Sequence, residues 1–225
     1  MKRKIPVLLL SIMMLLTLLI QPVGAGVESP VPGNQDLQLN SHYSNQYHPD
    51  NLPDALTEDE EELAILINEY RQSLGLEPLT VSRSLTKVAR YHVYDVINHV
   101  DLELKDYRGI KGNLHSWSDK GPWQQVIYTP DHYYAELMWS KPRELTNYRG
   151  NGFEISYYRS SGATPEAALN GWRFSNAHNN VITGVGYWEN LVTMGIGIHG
   201  NYSHVWFGKE EDPDGYYTID SSNKE

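Results

Sequence analysis

The chain has 225 residues, with 18 Lys and Arg against 28 Asp and Glu, a formal net charge of −10 and no cysteine. This acidity repels phosphate backbones and anionic lipid surfaces, which argues against a nucleic-acid partner and against membrane binding through a basic patch. Without cysteine there are no disulfides, so the fold depends on its core alone. About 200 residues suffice for one such domain.

Residues 1–25 have the composition of an export signal. Three basic residues follow Met1, the run from Ile5 to Ile20 is uncharged, and Val23-Gly24-Ala25 offers small residues for cleavage. The uncharged run has 16 residues, fewer than the about 20 of a spanning helix, with an uncleaved anchor as the alternative. We predict a secreted, extracellular protein with no transmembrane domain after signal removal.

The remaining chain divides into three segments by composition. Residues 26–56 are polar, rich in Pro, Asn and Ser, and lack an apolar period, which predicts a flexible linker. Residues 57–208 hold the periodic apolar patterns of a folded domain. Residues 209–225 are acidic and polar, which predicts a partly ordered C-terminal tail.

The domain is predicted to open with two helices. Thr57 and Glu60 have the spacing of a capping box, apolar residues follow at helical spacing, and Gly75 ends the first helix. The acidic run 58–62 lacks calcium-loop spacing and is interpreted as a solvated first turn. A second helix is predicted from Ser82 to Val100, with His92 on its apolar side, where a hydrogen-bonded core histidine is favoured over a ligand.

Further elements follow the irregular, aromatic segment that begins at residue 101. A short helix is predicted from Pro130 to Trp139, ending before Pro142. Another begins at Pro165 with Thr164 as N-cap and runs into a polar turn that presents His178. The runs 192–199 and 202–207 flank Gly200-Asn201, which predicts a hairpin.

These patterns resemble the CAP superfamily (cysteine-rich secretory proteins, antigen 5, pathogenesis-related 1), whose domain is also called SCP. The similar segments are ELAILINEYRQSLGLEPL, LTKVARYHVYDV, the W-x-x-S-x-x-H motif in 172–178 and the G-I-G-I and V-W-F-G strands. The resemblance implies an α+β fold, an α-β-α sandwich around a small, mainly antiparallel sheet. It leaves out residues 117–150, and the lack of cysteine points to the bacterial secreted subgroup.

The resemblance also implies a cleft lined by histidines and acids. His115 of NLHSWS and His178 match the two histidines, Glu154 of GFEIS matches the glutamate, and Ser175 stands where eukaryotic relatives have a second acid. The register around Glu154 is ambiguous, because alignment on Ile155 places Phe153 at the glutamate position. His115 and His178 are thereby the candidate metal ligands.

Three interpretations of this cleft remain open. The groups can bind a divalent cation such as Zn²⁺ or Ca²⁺, or a small ligand; they can move protons; or they can brace the fold. No protease zinc motif, nucleophile elbow or phosphate loop is present, so no catalytic residue is assigned. Trp117 and Trp123, near His115, are candidates for sugar stacking.

The leading hypothesis is a secreted binding module whose cleft holds a divalent cation or a small apolar ligand; whether it is an enzyme is left open, with a non-enzymatic role favoured. An extracellular protein is the other partner considered. The alternatives are a metal-assisted hydrolase of peptide or cell-wall substrates, and a structural protein of the envelope or spore coat.

Overall fold

The computed structural model describes residues 47–219. The predicted export signal and most of the predicted linker lie outside this range. The helices are α1 (Glu58–Ser73), α2 (Arg83–Asn98), α3 (Ala135–Trp139), α4 (Lys141–Leu145), α5 (Pro165–Arg173) and α6 (Asn176–Thr183). The strands are β1 (Thr80–Ser82), β2 (Gly152–Tyr158), β3 (Thr193–His199), β4 (Tyr202–Gly208) and β5 (Tyr216–Tyr217).

The five strands form one mixed sheet in the order β2-β4-β3-β1-β5. Only the β1–β3 pair is parallel, and the predicted hairpin is the central β3–β4 pair. Helix α2 packs on one face of β3 and β4, while α1 and α5 pack on the other. This arrangement confirms the α+β fold with a mainly antiparallel sheet between helical layers.

Strand alternation determines what each face of the sheet carries. Phe153, Ile155, Met194, Ile196, Val205 and Phe207 point to the layer of α1, α5 and α6 and form the larger core cluster. The intervening positions point to α2. There Trp206 packs with Leu85 of α2 and with Trp117, which lies in the segment between α2 and α3. The polar side chains of β2 and β4 described below share this second face.

The described chain is already packed against the domain ten residues before the boundary predicted at Thr57. Tyr47 is buried against His199, with the two rings stacked at 4.2 Å, and Pro49–Asn51 form a short 3-10 helix. Arg90 of α2 donates to the carbonyl oxygens of Pro53 and Ala55. Residues 47–56 therefore lie against the domain, because a buried cation holds their backbone.

The acidic first turn of α1 also differs from the solvated turn predicted for it. The capping box is present: Thr57 Oγ accepts from Glu60 N, and Glu60 Oε2 accepts from Thr57 N at 2.8 Å. Glu60 is nevertheless fully buried, because the same carboxylate pairs with Arg90. Its neighbours Glu58, Asp59 and Glu61 are not among the buried residues.

Two other local predictions needed correction. The helix predicted from Pro130 begins only at Ala135 but ends at Trp139 as predicted, and Pro142 lies in the first turn of the next helix, α4. His178 does not lie in a turn after α5 but in the first turn of the separate helix α6. The predicted tail contributes Asp212, whose carboxylate caps α2 through Ser82 and Ser84.

Among residues 47–219, no helix combines the length and apolar character needed to cross a membrane.

Candidate functional site

A buried carboxylate, Glu154 of β2, is the centre of a polar cluster between the sheet and α2. In the strand register Glu154 pairs with Trp206 and Ser156 pairs with His204, so the polar side chains of β2 lie beside those of β4. His204 and Glu154 have side chains that are fully buried. We call His92, His115, Glu154, Ser156 and His204 the Glu154 cluster.

Three imidazoles converge on the Glu154 carboxylate. Oε1 is hydrogen-bonded to Nδ1 of His204 at 2.9 Å and to Nδ1 of His92, and Oε2 to Nδ1 of His115 at 2.7 Å. Ser156 Oγ also donates to Oε2, at 3.2 Å. Every oxygen of this buried carboxylate is thus saturated by hydrogen bonds, as a buried charge requires.

His92 is oriented from both sides of its ring. Nε2 donates to the carbonyl oxygen of Ser116 at 2.9 Å, which directs Nδ1 toward Glu154. The ring stacks on Trp117, with centroids 4.1 Å apart, and lies 4.4 Å from the His204 ring. The core histidine predicted from the apolar side of the helix is therefore also part of the polar site.

The loop that carries His115 is tied to α2 and to the following segment. Asp95 of α2 accepts hydrogen bonds from the backbone and hydroxyl of Ser118, and Ser116 Oγ accepts from Tyr128 N at 3.0 Å. The side chain of His115 is 20% exposed. Its ring packs edge-to-face against that of Tyr128, with ring centroids 5.4 Å apart. His115 is therefore the group through which the cluster meets solvent.

His178 lies near the cluster without joining its hydrogen bonds. It is half-buried in the first turn of α6. Burial, with a smaller effect from the charge of His115, lowers the pKa of His178 to about 4. Ser175, the N-cap of α6, has a buried hydroxyl with no hydrogen-bond partner among the described residues.

Electrostatics keep Glu154 ionised and His204 neutral. Burial raises the pKa of Glu154, but the electrostatic interactions with His92 and His204, together with hydrogen bonds from His115 and His204, outweigh burial and hold the pKa well below its usual range. Burial lowers the pKa of His204 to about 4 against the opposing attraction of Glu154. At neutral pH the cluster therefore offers one carboxylate and an uncharged His204.

This pattern predicts acid-sensitive stability. The pKa of His204 is lower in the folded chain, at about 4, than its ordinary value of 6.5, so the unfolded chain binds this proton first. Stability is full above about pH 6.5 and falls toward pH 4; between pH 7 and 4.5 His204 accounts for a loss of about 2 kcal/mol. Urea unfolding across this range measures the loss.

The variant His204→Asn is expected to reduce that pH dependence by about one proton, and His178→Asn acts in the same direction because its pKa is lowered too. Unfolding free energies that stay flat or rise between pH 7 and 4.5 would contradict the assignment. A dependence unchanged by both substitutions would assign it to other groups.

The structure brings together some of the residues predicted from sequence and adds others. His115 hydrogen-bonds Glu154, and His178 lies close enough for the charge of His115 to affect it, whereas Ser175 makes no polar contact to either. His204 and Ser156 were missed. Strand alternation places Ser156 on the face of Glu154 and His204 on the face of Trp206, but only the pairing of β2 with β4 brings the two beside the carboxylate.

Trp117 and Trp123, the candidates for sugar stacking, are buried and packed edge-to-face at 4.9 Å. Their indole faces are inside the smaller core cluster rather than at a surface. Sugar stacking on these two residues is therefore ruled out by their burial.

The α-β-α architecture and a histidine cluster around a strand glutamate define a recognisable class of domain. The profile described as "CAP: Cysteine-rich secretory protein family" matches residues 65–209, and the chain belongs to that family. No relative among curated proteins matches the chain.

Two solved bacterial structures are similar to this chain. A cysteine-rich secretory protein of Staphylococcus aureus is 15% identical, with a TM-score of 0.43, and the match covers 68% of this chain and 39% of that one. An outer surface protein of Borrelia burgdorferi is 18% identical, with a TM-score of 0.46 and coverage of 69% and 95%. This chain thus spans less than half of the staphylococcal protein.

Proposed function

We propose that this chain is a secreted binding module of the CAP family and that the Glu154 cluster holds a divalent cation, with Zn²⁺ as the ion. His92, Glu154 and His204 would hold it, since each offers a ligand atom and these atoms all lie within 4.8 Å of one another. Zn²⁺ with bonds of about 2.0–2.1 Å needs ligand atoms only slightly further apart than hydrogen-bonded ones.

The donor types support Zn²⁺ over Ca²⁺. Imidazole nitrogens and one carboxylate suit zinc, whereas calcium takes six to eight oxygen ligands. His92 has the orientation expected of a ligand, because its second nitrogen donates to the Ser116 carbonyl. Such an ion supplies a positive charge at the centre of the cluster; the residues supply the orientation and the burial.

The observation that carries the proposal is an unpartnered nitrogen. Nε2 of His204 is buried and has no hydrogen-bond partner among the described residues. A buried polar atom without a partner costs free energy, which a bond from this nitrogen to a cation would recover. His115, whose side chain is 20% exposed, is the member of the cluster through which a cation would reach these ligands.

Isothermal titration of the metal-free protein with ZnCl₂ and, separately, CaCl₂ tests this proposal. We expect one Zn²⁺ per chain and no Ca²⁺ binding, because the donor set is two imidazoles and one carboxylate. His204→Ala and Glu154→Gln are expected to weaken zinc binding at least about tenfold. His99→Ala, at an exposed histidine just beyond α2, is the matched control and should bind as the wild type does.

Circular dichroism and thermal unfolding establish that each variant is folded before its affinity is compared. Wild-type protein that binds no zinc, or variants that bind it equally well, would overturn the metal proposal. The cluster would then serve to brace β2 and β4 against α2.

A serine-histidine-acid triad gains no support from the geometry. Ser156 Oγ lies 3.1 Å from Nδ1 of His115, but Glu154 contacts that same nitrogen. A catalytic triad requires the serine and the acid on opposite nitrogens of the histidine. At His204, Ser156 and Glu154 likewise both contact the same nitrogen, Nδ1.

A further inference from the structure

The segment between α2 and α3 presents two exposed tyrosines at one place on the surface. Tyr107 is 78% exposed and Tyr133 is 59% exposed, and the Tyr107 hydroxyl donates to that of Tyr133 at 3.3 Å. Their ring centroids are 6.5 Å apart and the rings stand at 65°. The tyrosine pair therefore presents two exposed aromatic rings side by side, at a steep angle to one another.

The side chain of Arg108 stacks on the Tyr133 ring and holds it in place. Its guanidinium lies 4.1 Å from the centre of the Tyr133 ring and covers one face. The same group donates to Asp106 at 2.7 Å, to Asp131 at 2.7 Å and to Thr129 at 3.0 Å. Because these bonds lock the guanidinium, the ring stacked on it loses little freedom when its other face is covered.

The two turns that carry the tyrosines are also fixed. Asp106 Oδ1 accepts from the backbone of Arg108 and Ile110, which closes the turn that presents Tyr107. His132 has φ of 58°, a costly conformation for a residue other than glycine, and its ring is hydrogen-bonded to buried Tyr128 at 2.8 Å. Both exposed rings therefore have preset positions, unlike isolated surface tyrosines.

The charged groups around the tyrosine pair indicate which class of ligand can bind there. Arg108 is committed to Asp106 and Asp131, so the pair offers no free cation of its own, and the chain is acidic overall. Asp131 is 45% exposed, and the hydrogen bond from Arg108, with another from Thr129, keeps its pKa below the usual range. The surface thus combines apolar ring faces with an edge of oxygen acceptors, and it disfavours anionic polymers.

A neutral pyranose has the complementary chemistry. When its hydroxyls are equatorial, C–H bonds cover both faces of the sugar ring and the hydroxyl donors lie around its rim. The C–H faces fit an aromatic face and the hydroxyls fit carboxylate and phenol oxygens. We infer that Tyr107 and Tyr133 form a binding site for a neutral, β-linked glycan, separate from the Glu154 cluster.

The test is saturation-transfer NMR and titration calorimetry of the folded protein with two neutral probes, chitotetraose and cellotetraose. We expect saturation of the sugar C–H protons by the protein and weak, measurable binding to at least one probe. Tyr107→Ala combined with Tyr133→Ala is expected to lower the affinity at least about tenfold. Tyr107→Phe with Tyr133→Phe keeps the rings and should retain most of it.

Exposed aromatic residues elsewhere provide matched controls. Phe174 is 90% exposed and Tyr187 is 59% exposed, and alanine at either position should leave sugar binding unchanged. His204→Ala should also leave it unchanged, which separates this site from the zinc proposal. Absence of binding to both sugars, equal binding by the double alanine variant, or binding of a proline-rich peptide in place of the sugars would overturn the inference.

Discussion

Replacement of Arg90 by alanine is expected to lower the free energy of unfolding by about 3–5 kcal/mol. Arg90 Nε donates to one oxygen of Glu60 at 2.8 Å and Nη2 to the other at 2.5 Å, and the two side chains are 7% and 0% exposed. Without the guanidinium, a buried carboxylate lacks a countercharge. Residues 47–56 also lose their donors to Pro53 and Ala55. Chemical denaturation measures the change.

Two variants show whether the loss comes from the unpaired charge. Arg83→Ala removes an arginine whose partner, Asp54, is 84% exposed, and should cost less than about 1 kcal/mol. Glu60→Leu combined with Arg90→Met replaces the whole pair with apolar groups and should recover much of the stability lost in Arg90→Ala. An Arg90→Ala variant as stable as Arg83→Ala would contradict a buried, structural ion pair.

Local sequence patterns predicted most of the regular structure because those elements depend on neighbouring residues. The Thr57 capping box, the Pro165 helix start and the Gly200-Asn201 hairpin each involve residues a few positions apart. The ordered segment 47–56 could not be found this way. Its backbone is held by Arg90, some 35 positions along the chain, and its own composition is that of a linker.

The residues of the candidate site were likewise found where a sequence motif identified them and missed where their role depends on distant partners. The family resemblance supplied Glu154 and His115, which the structure brings into contact. His204 was missed since its role depends on strand pairing: Ser156 lies opposite it, and the pairing cannot be read from either strand alone. His92 was interpreted as a core residue because helix periodicity reports burial, whereas its polar partner, Glu154, lies 62 positions away.

The approach of α2 to the sheet depends on two glycines of β3. Gly195 is paired with Trp206 and Gly197 with His204, so both glycines lie on the face toward α2. A methyl group at Gly195 would lie 2.1 Å from backbone atoms of Leu85 and Thr86, and one at Gly197 would lie 2.6 Å from the backbone of Ala89. The backbone of α2 cannot rotate out of the way as a side chain can.

Gly195→Ala is therefore expected to destabilise the domain by at least about 3 kcal/mol, at the upper end of overpacking effects, because backbone must move. Gly171→Ala is the matched control: this exposed residue of α5 would contact only the ring of Tyr157, and helix propensity offsets the shift. Since α2 carries His92, any folded Gly195→Ala protein should also lose the contact between His92 and Glu154, seen as a shifted imidazole NMR signal. Stability equal to that of Gly171→Ala, with the His92 signal unmoved, would show that the helix does not rest on these glycines.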